Sequence, residues 1–177
     1  MKKRIAVLVI AAVIVIASAI RIVYINTNAE EYKVYTSTYE KGETFNYKDY
    51  DIKVNGIDII DRQEFVDRYG KISADEADDE IYYAVVSIDY RYVGDEQSNH
   101  FDVSKFVLTS GVWHNGSELL TTMKINGDNS GKQEVNDYKL VFFINKKLYS
   151  NSGWKKIHSR KYQLGIEEYP YFMVVNL

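Results

Sequence analysis

The 21 residues from Ile5 to Ile25, IAVLVIAAVIVIASAIRIVYI, carry a single charge, Arg21. An ordinary surface helix or strand mixes apolar and polar positions at its own period, and this run does not. At about 1.5 Å rise per helical residue it reaches about 31 Å, and the hydrocarbon core of a bilayer is about 30 Å thick. Lys2, Lys3 and Arg4 precede it. Positive charge collects on the cytoplasmic side of a membrane, so the expectation is an N-terminus inside and the rest of the chain outside. Arg21 and Tyr24 then fall at the outer interface. There a long cation extends to the headgroups and a ring with a polar tip is favoured. The expected organisation is a signal-anchor or transmembrane helix at 1–25, a short polar linker at 26–31 (NTNAEE) and an extracellular domain at 32–177.

Two other readings of the run stay open. Ala17-Ser18-Ala19 has the small-residue pattern of a signal-peptide cleavage site, which would make the protein secreted. A buried core helix of a soluble protein is the third, and the basic flank argues against it.

The 152 residues beyond Ile25 suit one domain, large enough to bury a core without covalent staples. Without Lys2, Lys3, Arg4 and Arg21 the chain keeps 18 basic residues against 25 acidic ones, a net charge of −7. That balance is soluble, and it disfavours nucleic acid, which needs a basic footprint. There is no cysteine. Disulfides, thiol nucleophiles, cysteine-ligated metals and a lipid-modified cysteine are therefore excluded. Sixteen tyrosines and one proline point to an ordered β-rich body rather than a disordered stalk.

Short β-prone runs separated by turn residues fill the rest. Tyr32–Tyr39 reads as a strand, Glu40-Lys41-Gly42-Glu43 as a turn. In DYDIKVNGIDII, Ile52 and Val54 share one parity and Ile57 and Ile59 the other. Asn55-Gly56 between them is a hairpin turn or a β-bulge, and the hairpin is slightly favoured. Arg62–Tyr69 spaces Phe65, Val66 and Tyr69 as a short helix, with Asp61 as N-cap and Gly70 as stop. In Ile81–Val93, Tyr82, Ala84, Val86, Ile88, Tyr90 and Tyr92 form one apolar face. The other face is apolar only at Ile81, Tyr83 and Val85, so the strand should be covered on both sides only where it begins. Val103–Leu108 follows, then Asn115-Gly116 as a predicted hairpin turn, a loop at 126–131, and strands at Val135–Ile144, Tyr162–Ile166 and Tyr171–Leu177. Lys146–Ser159 is a long polar excursion with room for some helix. Seven to nine strands, one short helix and no βαβ rhythm predict a mainly β fold, an antiparallel Ig-like β-sandwich, with a small closed barrel as the alternative.

The stretches IRIVYIN, YEKGETF, EFVDRYG, YYAVVSIDYRYVG, LVFFI, KYQLGIEEYPYF and MVVNL, in that order, resemble the uncharacterised Ig-like sandwich domains on membrane-anchored or lipoprotein-like surface proteins of Gram-positive bacteria. The resemblance spans nearly the whole chain and lies in pattern and order. It implies a fold and a location. Some such proteins are similar to accessory proteins beside exporters or peptide-immunity systems. It supplies no functional residues.

Candidate sites read blandly. Asp75, Glu76, Asp78, Asp79 and Glu80 could gather oxygen ligands for Ca²⁺, but no glycine permits a tight cage, and a solvated loop explains them. Asn126, Asp128, Ser130, Gly131 and Asp137 copy part of a Ca²⁺-loop spacing, with the wrong first and last residues and strand-like flanks. His100, His114 and His158 lack a helical-spaced partner. Ser152 and Lys155 have S-x-x-K spacing without its companion motifs. Paired carboxylates remain possible, because their separation is spatial, but they need a cleft. Tyr82, Tyr83, Tyr90 and Tyr92 fit strand packing, and Trp113 is the best candidate for an exposed aromatic contact. The predicted catalytic, cofactor and metal residues are accordingly none.

The expected function is non-catalytic. A single-pass cell-surface protein would hold its sandwich near the membrane to bind a protein partner, as a transporter accessory. The alternatives are a small-ligand or envelope-polymer binder and a calcium-stabilised module.

Overall fold

The computed structural model describes residues 2–27, 34–70, 80–94, 101–129 and 132–177, with side chains of the first helix from Ile10 to Ile25. Contacts divide the chain into two compact units, residues 1–35 and 36–177. Among the described residues the first contains one helix, α1 (Lys2–Thr27). Among the described residues no helix is long and apolar enough to cross a membrane.

The second unit is a sandwich of two sheets. In chain order come β1 (Tyr35–Glu40), β2 (Thr44–Tyr47), β3 (Tyr50–Ile60), α2 (Arg62–Tyr69), β4 (Ile81–Tyr92) and β5 (Phe106–Ser110). Then follow β6 (Trp113–Gly116), α3 (Leu119–Asn126), β7 (Glu134–Asn145), α4 (Asn151–Trp154), β8 (Gln163–Glu168) and β9 (Tyr171–Asn176). One sheet has the order β1-β9-β8-β5-β6, the other β2-β3-β4-β7. The expectation of a single short helix in this domain is corrected: α3 and α4 join α2, with 3-10 turns at Val103–Lys105, Lys146–Leu148 and Ile157–Ser159.

β4 shows why two layers form. Ala84, Val86, Ile88 and Tyr90 face the core between the sheets, beside Ile52, Val54, Leu108, Leu140, Phe142 and Leu164. On its other face Tyr83 and Val85 join Ile60, Phe65 and Val141 in a second, smaller core. α2 covers that patch, with Phe65 stacked on Tyr83 at 4.1 Å. The helix starts where its sequence says it should. Asp61 accepts from the Glu64 N–H at 2.9 Å, and Gly70 ends it at φ +84°.

Of two expected turns, one resolves to its bulge alternative and the other is overturned. Asn55-Gly56 is a bulge inside β3, since Val54 pairs with Ile88 and Gly56 with Ser87, leaving Asn55 unpaired. The parity change is thereby cancelled: Ile52 and Val54 before the bulge and Ile57 and Ile59 after it all pack on the main core. Asn115-Gly116 is not a turn either. Ser110 pairs with Trp113, so the two-residue loop is Gly111-Val112, with Gly111 at φ +65°. A second irregularity lies in β7 opposite Ile88 and Tyr90. There Asp137 takes φ +59° and donates its N–H to the Asp89 carboxylate at 2.8 Å.

Candidate functional site

β7 lies at an edge of its sheet, and an uncovered edge exposes a row of unpaired backbone groups. Here the row is filled from the side by β6 and α3. The Asn126 carbonyl oxygen accepts from the Lys139 N–H at 2.8 Å, while its amide donates to the Lys139 carbonyl at 2.8 Å. That one side chain reproduces the double pairing of a neighbouring strand. Two residues on, the Val141 N–H donates to Thr122 Oγ1 at 3.0 Å and its carbonyl accepts from the Glu118 N–H at 2.7 Å. Two further on, the Phe143 carbonyl accepts from the Asn115 amide at 2.9 Å. Asn115 thus leaves the turn because its side chain is used at the edge.

The arrangement inverts the usual logic of a surface helix. α3 turns Thr121 and Thr122 inward, both essentially buried, and Thr122 serves the polar edge. Ile125 packs on the smaller core, and its three other apolar residues are left outside: Leu120 is 78% exposed, Met123 60% and Leu119 41%. Glu118 caps the helix by accepting from the Thr121 N–H. Asn126 and Gly127 (φ +66°) end it.

Beside the ridge opens a cleft of about 450 Å³, lined by Leu119, Met123, Phe101, Tyr90, Tyr138 and the carboxylates Asp102 and Asp128. Its aromatic wall is rigid. Tyr90 stacks on Phe101 at 4.1 Å, and Tyr50 meets Phe101 edge-on at 5.1 Å. Burial pushes the Tyr90 hydroxyl up to about 12, and it raises Tyr138 as well, so the wall is neutral at physiological pH. Asp102 accepts from the Ser104 N–H at 2.9 Å, capping the 3-10 turn that brings Val103 into the lining. What this surface can do chemically is bury apolar groups next to carboxylates.

The residues singled out in the sequence are scattered. His100, Asp75, Glu76, Asp78, Asp79, Ser130 and Gly131 lie outside the described residues. Asn126 is committed to β7, and Asp137 pairs with Lys139 beside its bulge, so that Ca²⁺-loop spacing is not a loop of ligands. Glu80 pairs with Lys147 at 3.1 Å. His114 is exposed on β6, and His158 sits 5.9 Å from the Tyr82 ring. Among the described residues no three His, Asp or Glu side chains are placed to hold a metal ion. Ser152 contacts Ser150 at 3.2 Å, within the cap of α4. Trp113, expected as an exposed contact, turns inward onto the main core, 6.3 Å from Tyr149; its neighbour Val112 is the fully exposed residue. Tyr82 packs edge-on against Trp154, Tyr83 on Phe65, Tyr90 on Phe101 and Tyr92 on Tyr50.

Sequence reasoning missed α3. Leu119 and Met123 stand four apart and Gly127 follows, a legitimate helix signal.

The sequence pattern of a Domain of unknown function, DUF5028, matches residues 33–172. The chain belongs to the DUF5028 family. No curated protein matches it. Among solved structures it is similar to an uncharacterised β-sandwich protein of Clostridium difficile, at 10% identity and a TM-score of 0.45, over 82% of this chain and 97% of that one. It is also similar to a candidate lipoprotein of Bacillus subtilis, at 12% identity and a TM-score of 0.43, over 77% of this chain. This DUF5028 chain spans 38% of that protein's length. A conserved hypothetical protein of Bacillus anthracis matches at 14% identity and a TM-score of 0.42, over 71% of this chain and 87% of that one.

Proposed function

We propose that this DUF5028 protein is a non-catalytic, single-pass protein of a Gram-positive cell surface. The apolar helix at 5–25 holds it in the membrane with its N-terminus inside. Its Ig-like sandwich stands outside and binds a protein partner near the bilayer, as an accessory to a transporter. The observation that supports this reading is the inverted helix α3. Its polar side is consumed by the β7 edge, and Leu120 and Met123 are left largely exposed. Burying Leu120 and Met123 against a partner is worth about 1.5–3 kcal/mol each, a driving force that the isolated domain leaves unused. The carboxylates of Asp102 and Asp128 at the cleft favour a partner segment that is apolar and basic over an anionic lipid.

A photo-crosslinker at Lys124, beside the ridge, tests this in intact membranes. The expected result is one discrete adduct with a membrane protein, abolished by Leu120→Asp with Met123→Asp while the unfolding midpoint is unchanged. An adduct pattern insensitive to that pair of substitutions would overturn it.

A second reading has its own support. A cleft of about 450 Å³ with aromatic walls is the size of a small-ligand site. It predicts a raised melting temperature with cell-wall fragments or sugars, and no shift with any of them removes it.

A further inference from the structure

We infer that the excursion from Lys146 to Lys161, between β7 and β8, is a binding site for an extended phosphate polymer. The outer chain is acidic as a whole, and this segment reverses the balance. Its 16 residues include Lys146, Lys147, Lys155, Lys156, Arg160 and Lys161 and no acidic residue. They hold six of the 18 basic residues beyond Ile25. All five lysines are exposed. Lys147 pairs with Glu80 at 3.1 Å, and among the described residues the other five cations form no ion pair. Gathered like charges repel, a cost to the isolated fold that an anionic ligand offsets.

The segment is pinned to the sandwich. Tyr149 lies 6.3 Å from Trp113 and 5.9 Å from Trp154, and Trp154 meets Tyr82 edge-on at 4.7 Å. Ile157 is buried, and the Tyr162 hydroxyl donates to its carbonyl at 2.9 Å. The Ser150 hydroxyl caps α4 by accepting from the Gly153 N–H at 3.2 Å. The cations therefore project from an ordered base, and binding does not first have to order a loop. The Arg160 guanidinium lies over the Tyr149 ring at 4.9 Å. Two donors of this pair, Arg160 Nε and the Tyr149 hydroxyl, are buried without a hydrogen-bond partner. Unpaired buried donors are rare in folded proteins, and these two leave positive dipole ends uncompensated in the patch.

The composition of the patch selects the ligand. A carboxylate offers two oxygens in one plane and suits the fork of an arginine, whereas a phosphate can be met from several sides by lysine point charges. Five lysines against one arginine favour phosphate. The cations come as three adjacent pairs on the 3-10 turn after β7, the end of α4 and the approach to β8, so a ligand that meets more than one pair is extended and repeats its charge. Tyr149 and Trp154 are packed on Trp113 and Tyr82, so neither is set out as a stacking platform for nucleic-acid bases. The site is also separate from the α3 ridge and its cleft. Tyr82 packs on Trp154, while Tyr90, eight residues along the same strand and about 26 Å away, lines the cleft.

The test uses the full-length protein in a non-ionic detergent and fluorescently labelled long-chain inorganic polyphosphate, with binding read by anisotropy. The expected result is saturable binding in about 50 mM salt that weakens about tenfold or more by about 200 mM. Lys155→Glu with Lys156→Glu should weaken it about tenfold. Lys53→Glu with Lys132→Glu makes the same change of net charge elsewhere on the domain and should leave affinity within about twofold. No saturable binding, or an equal loss in the two double variants, would overturn the inference. Polyglutamate or single-stranded DNA of matched charge bound as tightly as polyphosphate would overturn the choice of ligand.

Discussion

Phe65 is fully buried under α2 and stacks on Tyr83, so Phe65→Ala removes most of what holds the helix to the sheet. Equilibrium urea unfolding should show a loss of about 3–5 kcal/mol. Gly165 carries the opposite constraint. A Cβ there would lie 2.9 Å from both the Phe172 ring and Val107 Cγ2, so Gly165→Ala should cost about 1–3 kcal/mol through overpacking. The tyrosines set a pH limit. Tyr47, Tyr50, Tyr90, Tyr138, Tyr149 and Tyr162 are all raised above the ordinary phenol value, with burial as the first cause. Because the folded values exceed the unfolded one, their contribution is complete below about pH 10 and is lost as pH rises through the folded values. Absorbance titration of tyrosinate should therefore show a lagging fraction that ionises together with unfolding. That Tyr90 would be packed was legible from the parity of β4. The inward turn of Trp113 was not, because nothing local records that Tyr149 waits across the fold.

At the scale of elements, α3 separates two kinds of substitution. Thr122→Val or Asn126→Leu leaves edge groups of β7 without a partner, and each should cost about 1–3 kcal/mol, read from chemical denaturation. Leu120→Ser touches only the exposed ridge and should stay within about 0.5 kcal/mol. A result in which Leu120→Ser destabilises as much as Asn126→Leu would mean the ridge is already used within the fold. The legibility of elements followed how local their causes are. α2 could be read to the residue because its cap, its apolar spacing and its stop all lie within ten positions. Asn55-Gly56 and Asn115-Gly116 carry the same dipeptide signal and neither is a turn. In the first, a bulge keeps Ile57 and Ile59 on the core face; in the second, the Asn115 amide is drawn to the Phe143 carbonyl.

Across the whole domain, Lys48, Tyr47 and Glu168 tie the two sheets together at one end. Lys48 bonds the Glu168 carboxylate at 2.8 Å, and the Tyr47 hydroxyl donates to it. The Lys48 bond first, then the Tyr47 bond, hold the Glu168 carboxyl below its usual value. A depressed folded value stabilises above the unfolded one, about pH 4.3, and that contribution drains away as pH falls through the folded value. The carboxylate is about a third exposed, so screening keeps the effect small. The midpoint difference between the native chain and Glu168→Gln should be present at pH 7 and vanish in acid. The sandwich also has its own cores, so residues 32–177 alone should unfold in one transition at the midpoint of the full chain.

The sequence by itself determined what depends on neighbours along the chain. The apolar run, the helix at Arg62–Tyr69, the two-sided and then one-sided burial of β4, and a mainly β body all follow from periodicity and caps. Only the tertiary structure decided which groups would satisfy the edge of β7. Lys139, Val141 and Phe143 are distant in sequence from Asn115, Thr122 and Asn126, and a hydrogen bond across such a gap leaves no local period to read. That requirement turned the polar side of α3 inward and left Leu120 and Met123 facing outward, which is where the proposed partner surface came from.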